Sequence, residues 1–314
     1  MSADRIYYLQ RKDIDEERWN DCVHKASNGL IYGISSYLDV MCTNWDALVL
    51  NDYEAVMPLP WRKKWNIYYL YQPFFTATLG VFGQHLSTET IAMFINAIPK
   101  KFRYWDIHLN EDNPISRNLL QITQGYQISE RKNFLLDLSF PYQTIRAGYK
   151  DRAKRRLDVT KENELTIRRN DSPSYVIQQY IRHYSQVHKE VKEPDYKRLE
   201  QLCRKINDHV LTYTAFDDKG VNAGFCLLLQ DEENIYPILG GSTGAGKEAN
   251  AFTFLIDAVI KDHAESKETF RFEGSDIPGI AFFNEQFGPK SATYTHIKRN
   301  NLPWPLSYLK REQF

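Results

Sequence analysis

The sequence lacks the patterns that mark several common classes of protein. Its 314 residues carry 40 Lys and Arg against 40 Asp and Glu, so no net charge attracts bulk DNA or an anionic membrane. No apolar run approaches the roughly 18 residues of a membrane-spanning helix, and the first residues contain no apolar signal core. These absences predict a cytoplasmic protein without a membrane span, in which any basic site is local.

Metal-binding spacings are also missing. The four cysteines include no C-x-x-C pair, which excludes a zinc ribbon and a thioredoxin-type motif. Buried free thiols in a reducing compartment are expected instead. His183 and His188 are five residues apart, so they do not share a helix face as zinc-binding histidines four apart do. The sequence therefore predicts no metal site.

The pattern of elements predicts the fold class. The length is comfortable for two domains. Short strands and helices alternate up to residue 139, after which the segments read as two helices, a strand, two helices, three strands, helix, strand, helix and strand. This order predicts an α/β (α+β) fold with mixed sheets flanked by helices. It also predicts domains 1–139 and 140–314, and leaves open whether the tail 300–314 packs back on the first domain.

The stretch GGSTGAGKEAN at residues 240–250 fits three functional patterns. As G-x-x-x-x-G-K it is close to a Walker A loop, but Glu248 stands where a Ser or Thr would bind Mg²⁺. As G-x-S-x-G it is close to a nucleophile elbow at Ser242. Asp276 and His296 follow in the required order, yet roughly 70 residues are too few to complete a hydrolase sheet.

The third pattern is a flexible glycine-rich turn between a strand and a helix. Free backbone N–H groups and the positive end of the helix dipole meet at such a turn. Glycines let the backbone approach an anion, and Lys247 adds a positive charge. This interpretation predicts a pyrophosphate site, and a mobile surface loop without a ligand is the competing interpretation.

Several segments resemble the GNAT acyltransferases, and in particular the bacterial Fem-type proteins that carry two GNAT-like domains in one chain. Residues 149–169 are similar to the basic helix and strand that open the second Fem domain. Residues 240–260 are similar to the GNAT strand, turn and helix. Residues 270–294, with FEGSDIPGIAFFNEQFG, are the most specific match. In the first half, residues 69–83 are similar to a cleft-facing strand and loop.

The resemblance implies tandem GNAT-like domains whose sheet splays between the fourth and fifth strands, here ENIYPIL and TFRFEG. In GNAT enzymes an acyl-CoA donor lies in that opening, with its pyrophosphate on the following turn. In the Fem branch the donor is an aminoacyl-tRNA and the acceptor is an amine of a cell-wall precursor. The expected cofactor is therefore acyl-CoA or none, and the expected partners are a small-molecule or peptide amine and possible tRNA, but not DNA.

Acyl transfer to an amine needs a deprotonated amine, a polarised carbonyl and a path for a proton. Glu273, at the end of a strand, is the candidate general base, with helix capping as its structural alternative. Tyr294 or Tyr236 is the candidate acid toward the leaving group, and either is alternatively a core aromatic. Asn284 stands where the Fem pattern F-K-x-x-F-G has its lysine. An amide lacks that charge, which favours a relative with another donor.

The remaining candidate residues fall into two groups. Those expected at the donor phosphates are Gly240, Gly241, Ser242, Gly244, Gly246, Lys247 and Asn250. Those expected to line the substrate cleft are Tyr71, Gln72, Phe74, Tyr149, Arg152, Arg155, Arg156 and Phe283. The three arginines share one helix face, where they either grip phosphates or RNA or are simply solvated.

Three functions follow from these residues. The leading hypothesis is an N-acyltransferase that uses acyl-CoA or another carrier-linked donor. The second is Fem-like aminoacyl transfer from charged tRNA. The third is a binding protein that kept the fold and lost the chemistry, which the asparagine at position 284 motivates.

Overall fold

The computed structural model describes residues 4–115, 126–274 and 277–309. Its backbone divides into two compact units. The described residues of the first unit fall within Met1–Arg131 and Thr293–Phe314, and those of the second unit fall within Lys132–Ala292. The predicted fold class is confirmed, because each unit is a mixed sheet covered by helices. The predicted boundary between domains at residues 139 and 140 stays a prediction.

The elements are numbered in chain order over the described residues. The strands are β1 (Ile6–Gln10), β2 (Trp45–Leu50), β3 (Ala55–Lys64), β4 (Ile67–Leu70), β5 (Phe82–Gly83), β6 (Phe102–Leu109), β7 (Tyr126–Asp137), β8 (Thr166–Arg169), β9 (Val210–Phe216), β10 (Asn222–Gln230), β11 (Asn234–Ser242), β12 (Thr269–Phe272) and β13 (Lys290–Asn300). The helices are α1 (Glu16–Lys25), α2 (Ser35–Met41), α3 (Thr88–Ala97), α4 (Tyr142–Ala147), α5 (Asp151–Glu162), α6 (Pro173–Tyr184), α7 (Glu193–Lys205), α8 (Gly244–Glu248), α9 (Ala251–Asp262), α10 (Pro278–Asn284) and α11 (Leu306–Leu309).

The first unit has the strand order β1-β2-β3-β4-β6-β13, with β5 paired to β3. Neighbouring strands are antiparallel except for the parallel pair β4–β6. Helix α3 connects the two strands of that pair. Its N-cap is Ser87, whose side chain accepts the amide hydrogen of Thr90. Its buried residues Ile91, Phe94 and Ile95 pack in the core of the unit.

The second unit has the strand order β7-β12-β11-β10-β9-β8. Its strands are antiparallel except for the parallel pair β11–β12. Helix α9 connects this pair and is apolar along much of its length, with Leu255, Ile256 and Val259 buried against the sheet. The core of this unit is separate from that of the first.

The two units share one order of elements. Apart from the short strand β5 and the short helix α8, the first runs β1, α1, α2, β2, β3, β4, α3, β6, and the second runs β8, α6, α7, β9, β10, β11, α9, β12. In both, the parallel pair is formed by the strands before and after the crossover helix. No repeat is visible in the amino-acid sequence, so the duplication is one of backbone order. Among the described residues, no helix is both long enough and apolar enough to cross a membrane.

Candidate functional site

A cavity of about 690 Å³ lies in the first unit along the parallel pair β4–β6. This volume suits a drug-sized ligand. Aromatic and aliphatic side chains surround a smaller polar part, and the lining residues are Lys64, Trp65, Ile67, Tyr69, Tyr71, Gln72, Tyr104, Asp106, His108, Arg131, Leu302 and Leu306. Apolar walls with a few converging polar groups are typical of a small-molecule site.

Trp65 lines this cavity in an unusual conformation. The tight turn between β3 and β4 gives Trp65 a φ of 49° and Asn66 a φ of 62°. Two-residue hairpin turns need this left-handed backbone, which Asn-Gly normally supplies. The indole is 72% exposed, so burial does not explain it. Backbone strain of about 1–3 kcal/mol beside a cavity is typical of a functional position.

A polar cluster at the cavity is formed by alternate residues of β6, which line it, and by their partners on β13. On β6, Tyr104, Asp106 and His108 alternate with Trp105, Ile107 and Leu109, which lie in the core. Side chains two residues apart share a face of a strand. On β13, His296 is opposite His108 and Lys298 is opposite Asp106. The pairing therefore brings residues almost 200 positions apart in sequence onto one face.

A chain of hydrogen bonds fixes the tautomer of His296, which is buried. Arg131 Nε donates to His296 Nδ1 at 3.2 Å, so that nitrogen is an acceptor. His296 Nε2 then carries the hydrogen and donates it to Asp106 Oδ1 at 2.7 Å. Burial raises the pKa of Asp106, but the hydrogen bond from His296 and the neighbouring positive charges together bring it below its usual value, so the carboxyl stays ionised.

His108 is fixed in the opposite tautomer. Its Nδ1 lies 3.0 Å from the carbonyl oxygen of Ala77, which can only accept. In a neutral ring, Nε2 is then a hydrogen-bond acceptor, and no hydrogen bond from the described residues reaches it. Burial lowers the pKa of His108 to about 4, helped by the positive charge of Arg131. The imidazole is therefore neutral at pH 7.

Asp106, His108 and His296 are close enough to hold a metal ion, since one ligand atom from each lies within 4.8 Å of the others. Their hydrogen bonds, however, already engage atoms that a metal ion would need as ligands. Both nitrogens of His296 are already engaged, and Lys298 Nζ lies 3.9 Å from Asp106 Oδ2. Two neighbouring cations oppose a third positive charge. The absence of a metal stays a prediction.

Two of the residues predicted for the substrate cleft, Tyr71 and Gln72, line the cavity. Gln72 lies beyond the end of β4 rather than within an apolar strand, and its side chain accepts the amide hydrogen of His108 and donates to the carbonyl of Thr76. The Gln72 side chain thus supplies a hydrogen-bond acceptor to the backbone of β6 at a position beyond the end of β4. Phe74 lies in the following loop, where its carbonyl accepts from the hydroxyl of Thr76.

In the second unit, β11 and β12 separate after a short paired segment. They pair in parallel only at Asn234–Thr269 and Ile235–Phe270, whereas β11 continues to Ser242. A bulge in β11 follows Pro237, where its register with β10 shifts. Bulges bend a strand away from its neighbour and are common next to active sites. The splay expected from the resemblance is therefore present between these two strands.

The predicted flexible turn is regular structure instead. Residues 240–242 belong to β11, and Gly244–Glu248 forms helix α8. Several amide hydrogens expected to meet a phosphate have acceptors inside the unit: Ser242 with Tyr184 Oη, Gly246 with Thr243 Oγ1, Lys247 with the Thr243 carbonyl and Asn250 with the Lys247 carbonyl. Asn250 takes a left-handed conformation before α9.

Packing explains two of the glycines. A Cβ on Gly246 would lie 1.7 Å from the carbonyl oxygen of Ala223, which only a glycine avoids. A Cβ on Gly240 would lie 2.6 Å from the ring of Phe252. Gly244 and Lys247 are exposed. The assignment of this segment to donor phosphates stays a prediction, and Gly244 and Lys247 are its most accessible members.

A row of phenyl rings, called here the phenyl ladder, runs from β11 to β12. Phe252 packs over Gly240 and stacks on Phe283 at 5.2 Å between ring centroids. Phe283 contacts Phe287 at 5.3 Å, and Phe287 stacks on Phe272 at 5.6 Å. Phe283 and Tyr149, both predicted in the cleft, thus pack in this aromatic core, with Tyr149 buried against Phe287.

The hydroxyl of Tyr184 holds the end of β11. It accepts the amide hydrogen of Ser242 at 3.0 Å and donates to the Ser242 carbonyl at 2.9 Å. Tyr184→Phe leaves both backbone groups without this partner, so we expect the free energy of unfolding to fall by about 1–3 kcal/mol. Urea denaturation measures the loss. The control is Tyr180→Phe, one turn earlier, and an equal effect of the two changes would contradict the role of this hydroxyl.

The predicted catalytic residues belong to both units. Glu273 and Asn284 are neighbours in the second unit, where the Asn284 amide donates to the backbone carbonyl of Glu273 at 3.4 Å. Asn284 is buried. Tyr294 belongs to the first unit, and its ring centroid lies 5.6 Å from that of His108. Their catalytic roles stay predictions.

The basic face of α5 is exposed. Arg152 and Arg155 are solvent-exposed and Arg156 is partly buried, which lowers its pKa. The guanidinium of Arg152 lies over the ring of Phe282 at 5.0 Å. Among the described residues, no carboxylate lies within the 4 Å of an ion pair from any of the three arginines. Three uncompensated cations on one helix suit an anionic partner.

Sequence reasoning missed Asp106, His108, His296 and Arg131. A signal was available, because YWDIHL and THIKR alternate polar and apolar residues as half-buried strands do. Alternation shows which side chains share a face of one strand. It does not show which strands are neighbours, so it could not join the two histidines.

No protein-family model and no curated protein matches the sequence. Solved structures do match over nearly the whole chain. FemX superposes with a TM-score of 0.68 over 96% of this chain and 99% of its own, at 10% identity. The chain shares the fold of FemX.

Two further structures agree. A conserved protein of unknown function from Bacteroides thetaiotaomicron VPI-5482 superposes with a TM-score of 0.61 at 9% identity, covering 91% of this chain and 96% of its own. A tandem GNAT protein from the clavulanic acid biosynthesis pathway superposes with a TM-score of 0.51 at 12% identity, covering 95% of this chain and 99% of its own. At such identities the comparison establishes the fold, which is the tandem GNAT architecture that the resemblance implied.

Proposed function

We propose that the protein transfers an acyl group from a carrier-linked donor to an amine. The observation that carries this proposal is the separation of β11 from β12 after two residue pairs. An unpaired strand edge beside such a gap offers backbone groups to an extended acyl-bearing arm. The fold shared with FemX and with a tandem GNAT protein supports the same reaction class.

The surroundings of the gap favour one kind of donor. Several of the amides that would hold the pyrophosphate of CoA donate within the protein, and the phenyl ladder spans β11 and β12. Arg152, Arg155 and Arg156, in contrast, present positive charge to solvent. We therefore propose an RNA-linked donor, as in aminoacyl-tRNA, whose phosphates contact the basic face of α5. Acyl-CoA is the second candidate, since Gly244 and Lys247 are exposed at the turn.

Binding of tRNA tests this donor. We expect bulk tRNA to bind at 50 mM salt and to be released steeply by 200 mM salt, because each neutralised phosphate releases counterions. Changing the three α5 arginines to Gln should weaken binding at low salt and reduce the slope of log affinity against log salt by about 2–3. Fluorescence anisotropy with end-labelled tRNA gives both quantities.

The control removes three cations that are already paired. Lys161, Lys197 and Arg204 lie within 4 Å of Asp158, Glu193 and Glu200. Changing all three to Gln should leave the salt slope nearly unchanged. No binding of tRNA by the wild type at low salt contradicts the RNA-linked donor. Calorimetric binding of acetyl-CoA at millimolar concentration would then support the second candidate.

A further inference from the structure

We propose that the cavity of the first unit binds the acceptor amine in its neutral form, and that Nε2 of His108 accepts the hydrogen that the amine loses. This inference rests on the proposed function, since it assigns the acceptor side of the same reaction. It concerns the first unit alone, whereas the donor proposal concerns the second. The two can therefore fail separately.

The polar side chains beside His108 already have hydrogen-bond partners. Both oxygens of Asp106 have neighbours: Oδ1 accepts from His296 at 2.7 Å, and Oδ2 has the Tyr104 hydroxyl at 3.4 Å and Lys298 Nζ at 3.9 Å. The Gln72 side chain is bonded to the backbone at both ends. His108 Nε2 is the acceptor that these bonds leave available to a ligand, and an N–H group is its natural partner.

The charged residues of the cavity favour a neutral ligand at that acceptor. The charged residues that line the cavity with His108 are Asp106 on its own strand, Arg131 of β7 and Lys64 at the β3–β4 turn. Lys298 of β13 lies opposite Asp106. The rings of His296 and Tyr294 pack against it. Among the described residues that line the cavity, one carboxylate stands against the two cations Lys64 and Arg131, which makes the cavity a poor place for an ammonium ion. The same field and burial keep His108 itself neutral.

The walls of the cavity are mainly aromatic and aliphatic. Trp65, Tyr69, Tyr71 and Tyr104 surround the polar part, and Leu302 and Leu306 add aliphatic surface. Such walls take an apolar or aromatic body attached to the amine. The strained backbone of Trp65 places a large ring at this surface.

In the transfer step, the nitrogen lone pair forms a bond to the acyl carbon. The bond from that carbon to the donor oxygen or sulfur breaks, and the leaving atom keeps the electron pair. The nitrogen loses one proton to His108 Nε2, which releases it to solvent, and the leaving group takes up a proton from solvent. An amine that arrives neutral needs no prior deprotonation, which suits an acceptor with the low basicity of His108.

Binding of benzylamine, followed by calorimetry, tests the preference for a neutral amine. Between pH 7 and pH 8 the neutral fraction of an aliphatic amine rises about tenfold, so the apparent affinity should rise about tenfold. Benzyltrimethylammonium has a charge that does not change with pH. Any change of its affinity between pH 7 and pH 8 therefore comes from titration of the protein. Equal affinity for the two probes at pH 7, or benzylamine affinity that does not rise with pH, would overturn the proposal.

Variants of His108 test the acceptor. His108→Leu should weaken benzylamine binding at pH 8 by about tenfold, the loss typical of one hydrogen bond. His108→Gln places an amide oxygen where Nε2 was and should restore most of the affinity. His209→Leu, at a histidine of the second unit that bonds the Gln230 carbonyl, is the control. Unchanged binding in His108→Leu contradicts the assignment.

A metal titration separates this proposal from its nearest rival. We expect Co²⁺ to give no visible absorption band with the wild type, because Arg131 and Asp106 already engage His296. A band that is lost in both His108→Leu and His296→Leu would show that the cluster is a metal site, and the proposed role of His108 would be wrong.

Discussion

Replacing Phe287 with alanine is expected to lower the free energy of unfolding by about 3–5 kcal/mol. The ring is fully buried and contacts Tyr149, Phe272 and Phe283. Its removal costs the transfer of a phenyl group from water and leaves a cavity in the middle of the phenyl ladder. The neighbouring rings belong to different elements, so the space cannot close without moving β12 or α10.

Urea denaturation followed by circular dichroism measures this loss. The control is Phe282→Ala, five residues earlier, where the ring is 48% exposed and contacts Arg152. Its cost should stay below about 1 kcal/mol, since cation–π contacts at exposed sites are weak. A loss below about 1 kcal/mol for Phe287→Ala would mean that the ladder is not packed between the two strands, and the argument against a CoA arm in the gap would lose its basis.

Acid is expected to destabilise the protein through His108 by about 3 kcal/mol between pH 7 and pH 4. In the folded chain the pKa of His108 is lowered to about 4, whereas an unfolded histidine titrates near its usual value of about 6.5. Between about pH 6.5 and pH 4, His108 is therefore protonated in the unfolded chain and neutral in the folded chain. Stability is full above about pH 6.5 and falls as the pH drops toward 4.

The variant His108→Gln cannot titrate and isolates this contribution. Urea unfolding at several pH values should show that the wild type loses about 3 kcal/mol more than the variant between pH 7 and pH 4. Carboxylates titrate in both proteins, so their effect cancels in the difference. Parallel pH profiles of the two proteins would contradict the buried neutral imidazole, and with it the acceptor assigned to the cavity.

Local patterns in the sequence predicted most of the elements. Helix α3 lies in the first half, where short strands and helices are expected to alternate, and Ser87 caps it. The strands β9, β10 and β11 were expected from three apolar runs, and they pair in that order. These predictions succeed because helix and strand periods are set by the backbone itself.

The glycine-rich segment shows where local reasoning failed. Glycines permit a flexible anion-binding turn, but they also permit close packing, and composition does not distinguish the two. Ala223 and Phe252 are brought against Gly246 and Gly240 by the pairing of β10 with β11 and by the position of α9. Contacts between elements, rather than conformational freedom, account for these two glycines.

By itself the sequence determined the order of strands and helices and the basic face of α5, because each depends on residues close together in the chain. The splayed pair β11–β12 was expected only from the resemblance to GNAT enzymes. Only the tertiary structure decided that Asp106, His108, Arg131 and His296 meet, since these residues lie on β6, β7 and β13. Strand pairing selects neighbours by register and by burial of one face, and neither is encoded in the spacing of the residues that are brought together.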